Sequence, residues 1–166
     1  MAASRWTERL GELPRAAWRD LRGLRGDERL VVVGVGLIAA SLLLPWYGVP
    51  VAGDLVQTGL GVFGWAQGAL LLMAGAALFL ALKIGGGYAP PRPLREWALL
   101  LGAGLWCAAI VAYRMIDRPE LDFELVARVS RDYSLRHGIF VALAGSLLIA
   151  FAGLRARAHG TGTDRP

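Results

Sequence analysis

Four apolar runs, at residues 30–47, 63–82, 97–116 and 138–154, are each about long enough to cross a bilayer, and they fix the solvent of this chain before its chemistry. At ~1.5 Å per residue, helices of this length reach roughly 26 to 30 Å, which matches the hydrocarbon core of a membrane. The Asp, Glu, Lys, Arg and His side chains lie outside the runs except Arg114, which falls within 97–116 but is counted with the loop that follows. The predicted fold is all-α: an integral membrane four-helix bundle, with an amphipathic helix before it and a short amphipathic helix in its third loop.

With 166 residues, the runs and their connections use nearly everything from position 30 onward and leave no room for a second globular domain. The chain divides into a basic arm at 1–28, a membrane domain at 29–155 and a tail at 156–166, which has no apolar face and is expected to be disordered. Its 22 glycines and 55% hydrophobic content suit packed membrane helices, where small residues let backbones approach. A cleaved leader is the weaker reading of the first run, because the stretch preceding it is far longer than usual.

Positive charge sets the expected orientation. Seven arginines precede residue 30, at 5, 9, 15, 19, 22, 25 and 29, whereas the first loop, 48–62, holds no Lys or Arg. That contrast places the N-terminus in the cytoplasm. Lys83, Arg92 and Arg95 in the second loop agree, as do Arg155, Arg157 and Arg165 in the tail. The third loop disagrees, for it carries Arg114, Arg118, Arg128, Arg131 and Arg136 on the side expected to face outward. The balance still favours both termini in the cytoplasm and a cell-membrane location.

In the arm, Trp6, Leu10, Leu13, Ala17, Trp18, Leu21 and Leu24 recur at helical spacing, with Arg5, Arg9, Arg15, Arg19 and Arg22 largely elsewhere. Two readings stay open: an interfacial helix on anionic inner-leaflet lipids, or a topology signal with a solvated basic face. The expected partners are thus the lipid bilayer and an unidentified membrane protein, with no nucleic acid. In the third loop, Leu121, Leu125, Val126, Val129 and Tyr133 predict the short outer helix after Pro119. Small residues four apart, Gly36 and Ala40, then Gly104, Ala108 and Ala112, then Ala142, Ser146 and Ala150, mark candidate helix contacts. Trp106 and Ser146 share a depth, so the indole is expected to face the bundle interior and find a polar partner there.

Chemistry is sparse. Gly34-Val35-Gly36-Leu37-Ile38-Ala39 imitates a dinucleotide-binding turn, but Pro45 follows closely and no alternating strands and helices come after it. His137 and His159 have no partners at metal-ligand spacing, and the lone Cys107 excludes an intrachain disulfide. No catalytic set, metal site or cofactor is expected. Gln67 is read as an amide that bonds a neighbouring helix. One constellation remains: Trp46, Tyr47, Trp65, Arg114 and Arg136 all end their runs on the expected outer side, where they form either an aromatic and cationic belt or a contact surface.

Leu44-Pro45-Trp46-Tyr47, Gly64-Trp65 and the segment Arg136-His137-Gly138-Ile139-Phe140-Val141-Ala142-Leu143-Ala144-Gly145 carry a family likeness. Through them the chain resembles a group of small bacterial four-span membrane proteins of unknown function, over about 30–153. The resemblance implies a bacterial inner-membrane location and a four-helix architecture, and it brings no catalytic residues. In such proteins a small polar residue commonly precedes the second-run tryptophan, whereas here Phe63-Gly64 precedes Trp65. The expected function is a non-enzymatic accessory or envelope-organising role, with a small lipid or apolar-solute transporter or binder as the alternative.

Overall fold

The computed structural model describes residues 24, 26–49, 55–61, 64–85, 95–117 and 134–160. The basic arm, apart from Leu24 and 26–28, and the proposed third-loop helix lie outside these residues. Four helices dominate: α1 Gly26–Leu43, α2 Trp65–Gly85, α3 Glu96–Ile116 and α4 His137–Gly160. Three of them, over Trp65–Gly85, Glu96–Ile116 and His137–His159, are long and apolar enough to cross a membrane. α1 differs because Asp27, Glu28 and Arg29 occupy its first turn. The chain is therefore mostly helical with at least three helices of membrane-spanning character.

The helices are arranged as a square. α4 packs most extensively, against α1 on one side and α3 on the other, and α2 closes the opposite corner against α1 and α3. Large side chains point outward, among them Leu72, Phe79, Leu105, Phe140, Leu147 and Phe151, while Ala66, Ala74, Ala77, Ala81, Ala142 and Ala152 are buried. In water this distribution would be costly. In lipid, where apolar surface gains nothing from being hidden, small residues inside maximise van der Waals contact between backbones.

Close approach is concentrated along α4. A Cβ on Gly145 would lie 2.6 Å from the carbonyl oxygen of Gly34, and one on Gly34 would lie 2.7 Å from that of Gly145. On the other side of α4, a Cβ at Gly104 would run into the backbone of Ala150. The small-residue spacing thus marks a real contact along α4 and at Gly104 in α3, although Ala112 is exposed, but the wrong face of α1. A Cβ on Gly36 would meet nothing within 4 Å, and Ala40 is exposed.

Trp106 corrects another expectation, for it is 56% exposed and points away from the bundle. The reason lies in the backbone contact at Gly104: α3 buries Leu100, Gly104, Cys107, Val111 and Arg114, and Trp106 is on the opposite face of the same turn. An indole cannot enter an interface this narrow. Ser146 meets its need locally, donating from Oγ to the carbonyl oxygen of Ala142 at 2.8 Å.

The first run is not helical to its end. α1 stops at Leu43, and Pro45–Val49 forms strand β1, paired antiparallel with β2, Leu55–Thr58, and with β3, Ser134–Leu135. The expectation of an all-α chain fails here. Pro45 is the cause: it disfavours helical backbone at Leu44 and supplies no N–H of its own. The carbonyls left open at the end of α1 are then taken up by the turn and hairpin. Ser41 O accepts from Leu44 N at 3.1 Å and Trp46 Nε1 at 2.7 Å, Leu42 O from Leu60 N at 3.0 Å, and Leu44 O from Gly59 N at 3.3 Å. The three-stranded sheet therefore closes one end of the bundle.

At the other end the tail departs from its expected disorder as well, since α4 continues through Gly160. Asp27, in the first turn of α1, pairs with Arg155 Nε and His159 Nδ1, each at 3.1 Å, and the Arg157 guanidinium sits 4.9 Å from the Trp97 ring centroid. Cations also suit the negative end of a helix dipole. Residues 161–166 lie outside the described part.

Candidate functional site

The sheet end of the bundle gathers the polar residues that the helices otherwise lack. Gly64 stands just before α2 and Gln67 in its first turn, so the Gln67 side chain reaches back and accepts from Gly64 N at 3.1 Å. This is the return half of a capping box. The same Gln67 Oε1 accepts a second hydrogen bond, from Arg114 Nη2 of α3 at 2.9 Å. Gln67 is thus the amide link between neighbouring helices that its position predicts.

Arg114 is not a loop residue. It belongs to the last turn of α3 and is 8% exposed, which corrects the expectation of four runs with no charge inside them. Its guanidinium lies against the Gly64 backbone, where a Cβ would come within 3.1 Å of Nη2. Its carbonyl oxygen, one of those left open at a helix end, accepts from Tyr47 Oη at 2.8 Å. Tyr47→Phe should cost about 1 kcal/mol, because a buried acceptor loses its donor. A thermal melt in detergent should fall by roughly 2 to 4 °C; an unchanged melt would show that water replaces the phenol.

The electrostatics are unusual. A buried guanidinium usually pairs with a carboxylate, since the effective desolvation penalty is several kcal/mol per ion. Here the partner is a neutral amide. Among the described residues the ion pairs are those of Asp27 with Arg155 and His159, at the far end of the bundle. Nε of Arg114 and Nε2 of Gln67 are both buried with no hydrogen-bond partner among the described residues. Asp117, the nearest acid along the chain, instead accepts from the Tyr113 hydroxyl.

The other residues singled out from the sequence surround this pair unevenly. Trp46 and Tyr47 are each 1% exposed, so they are core residues of the cap rather than membrane anchors. Trp65 is exposed and its ring lies 5.6 Å from that of Tyr113, giving an aromatic edge beside Arg114. Arg136 N donates to Trp46 O at 2.9 Å, and its guanidinium covers Gly48, where any side chain would displace it. Among the described residues Arg114 stacks on no indole, and the cations over rings are Lys83 on Phe79 and Arg157 on Trp97.

Gly48 and Ser134, which do not stand out in the sequence, complete this end together with Gly64 and Ser41. Ser134 Oγ donates to Gly48 O at 3.1 Å and helps fix β3 on β1. The missed signal is the pair of β-prone segments, Pro-Trp-Tyr-Gly-Val and Leu-Val-Gln-Thr, separated by turn-forming Pro, Gly and Asp. No group of His, Cys, Asp or Glu among the described residues could hold a metal ion. Compared with known families, known proteins and solved structures, the chain matches none.

Proposed function

We propose that the chain is a bacterial inner-membrane protein with four spans and both termini in the cytoplasm, working through contacts as an accessory or envelope-organising protein and not as an enzyme. The observation that carries this reading is the constructed sheet end: a small protein with apolar helix faces builds a hydrogen-bonded cap on one side of the bundle. The fourth span is α1, whose apolar part begins at Leu30 and is completed in depth by the hairpin. Asp27 near its start meets Arg155 and His159 near the end of α4, which supports an even number of crossings. The basic arm then lies on the inner leaflet, where each basic residue near the surface contributes ~1 kcal/mol.

Topology is tested by fusing a reporter that is active only outside the cytoplasm. Fusions after Gly53 and within 122–130 should be active, and those after Pro91 or at the C-terminus should be silent. Activity after Pro91 would invert the orientation, and silence within 122–130 would reduce the number of spans. The contact role is tested by extraction in mild detergent and native mass spectrometry, with a protein subunit at fixed stoichiometry as the expected result. The second reading, a lipid or apolar-solute binder or transporter, is favoured by the buried Arg114 and would be preferred if the chain emerged alone with lipid.

A further inference from the structure

We infer that Arg114 and Gln67, at the start of α2, form a binding site for a phosphate oxyanion. Two independent features converge there. The first is the helix start itself: the first bond within α2 is Gly68 N to Gly64 O, so the N–H groups of Trp65, Ala66 and Gln67 precede the ladder and give this point a partial positive charge. The second is a pair of buried donors. Arg114 is 8% exposed and Gln67 1%, yet Arg114 Nε and Gln67 Nε2 have no partner among the described residues. Buried donors are ordinarily satisfied, and a pair of open ones on two side chains already bonded to each other signals a missing acceptor.

The chemistry of that acceptor follows from the donors. Arg114 supplies a full positive charge in a planar fork, Gln67 an amide N–H, and the helix start the field that favours an anion. Gln67 Oε1 is already occupied by Gly64 N and Arg114 Nη2, which holds the amide so that its nitrogen is the end left to donate. A tetrahedral phosphate, with several acceptor oxygens, matches the two open donors, since the acceptors here, Gln67 Oε1 and the Arg114 carbonyl, are already engaged and the Asp117 carboxylate is taken by the Tyr113 hydroxyl. Beside the site, the exposed Trp65 and Tyr113 rings give an amphipathic edge of the kind found at headgroup level. The phosphate is accordingly that of a phospholipid headgroup, or a free phosphate with the same chemistry.

The test uses the full chain in dodecyl maltoside micelles, which carry no phosphate. Thermal melts are compared after adding phosphatidylglycerol, an uncharged diacylglycerol, or inorganic phosphate against chloride at equal ionic strength. Phosphatidylglycerol is expected to raise Tm by about 5 °C, as for a ligand present well above its Kd, and diacylglycerol to leave it unchanged. An equal rise with inorganic phosphate would identify the free anion as the ligand. Arg114→Gln should lose the response, and Gln67→Glu provides a variant less exposed to misfolding. The glutamate keeps the acceptor for Arg114 Nη2 and adds an internal negative charge, so this variant should melt higher without ligand and respond to none. A parent protein that responds to neither phosphatidylglycerol nor phosphate would overturn the site, as would a Gln67→Glu variant that responds as strongly as the parent. These readings are made on isolated protein, so a failure here stands apart from a failure of the contact role.

Discussion

Gly104→Leu is expected to break the bundle at the interface between α3 and α4, with a loss of more than ~3 kcal/mol and a fall in Tm on the order of 10 °C. The size of the effect follows from what the new side chain meets. A Cβ at this position would be 2.6 Å from Ala150 Cα and 2.8 Å from Ala150 Cβ, and nearer still to the Ala150 nitrogen. Backbone cannot rotate aside as a flexible side chain does, so the whole helix must retreat. Retreat is costly here because the other side of α4 is held equally close to α1, through Gly145 and Gly34. The matched control is Gly102→Leu, nearby on the same helix, where nothing lies within 4 Å. That variant should melt at or slightly above the parent temperature, since leucine favours helix over glycine by roughly 1 kcal/mol. Equal melts for the two variants would show that α3 and α4 do not touch at Gly104.

The second large effect is expected at the sheet end. Trp46→Ala should cost about 3 to 5 kcal/mol, the range for removing a fully buried aromatic ring. The indole is 1% exposed and fills the space beside Gly59 and Gly138, positions at which a Cβ would fall 2.8 Å and 2.7 Å from it. Its Nε1 also donates to the Ser41 carbonyl at the end of α1. Loss of the ring therefore frees both the helix end and the hairpin. Hydrogen exchange should rise across 44–49 and 55–60 while the middle of α4 stays protected. Trp46→Phe keeps most of the ring and removes the donor, so it should cost nearer 1 kcal/mol. Were the alanine variant to lose protection uniformly along all four helices, the cap would be the keystone of the bundle and not a separate closure.

Both expectations concern residues whose types are conspicuous in the sequence but whose roles are not. Trp46 and Tyr47 stand where an apolar run meets a loop, the position of an interfacial anchor. Their burial depends on residues far along the chain, for the Trp46 ring lies against Gly138 as well as Gly59, and Tyr47 reaches the Arg114 carbonyl. Gly104 stands out for its spacing, and so does Gly36. Only the first makes contact, because repeats of small residues say that a close approach is allowed and not which neighbour arrives. Arg114 is the clearest case. Taken with a loop, it is one of five cations weighing on topology; placed in the last turn of α3, it is a buried charge held by Gln67.

Hydropathy alone determined that this chain is built from long apolar helices, and it located α2, α3 and the start of α4 to within a few residues, though not the continuation of α4 to Gly160, because the length and apolarity of a segment are local properties. The proline at 45 likewise marked the neighbourhood in which α1 ends, since it disfavours helical backbone in the residue before it and has no N–H to continue a helix. Tertiary structure decided the rest: which glycines carry the helix contacts, that Trp106 faces outward, that a three-stranded sheet closes one end, and that Arg114 and Gln67 meet. Each of these depends on a partner distant in sequence, and in a membrane, where burying one apolar face gains little over another, no amphipathic pattern is written along the helix to announce it.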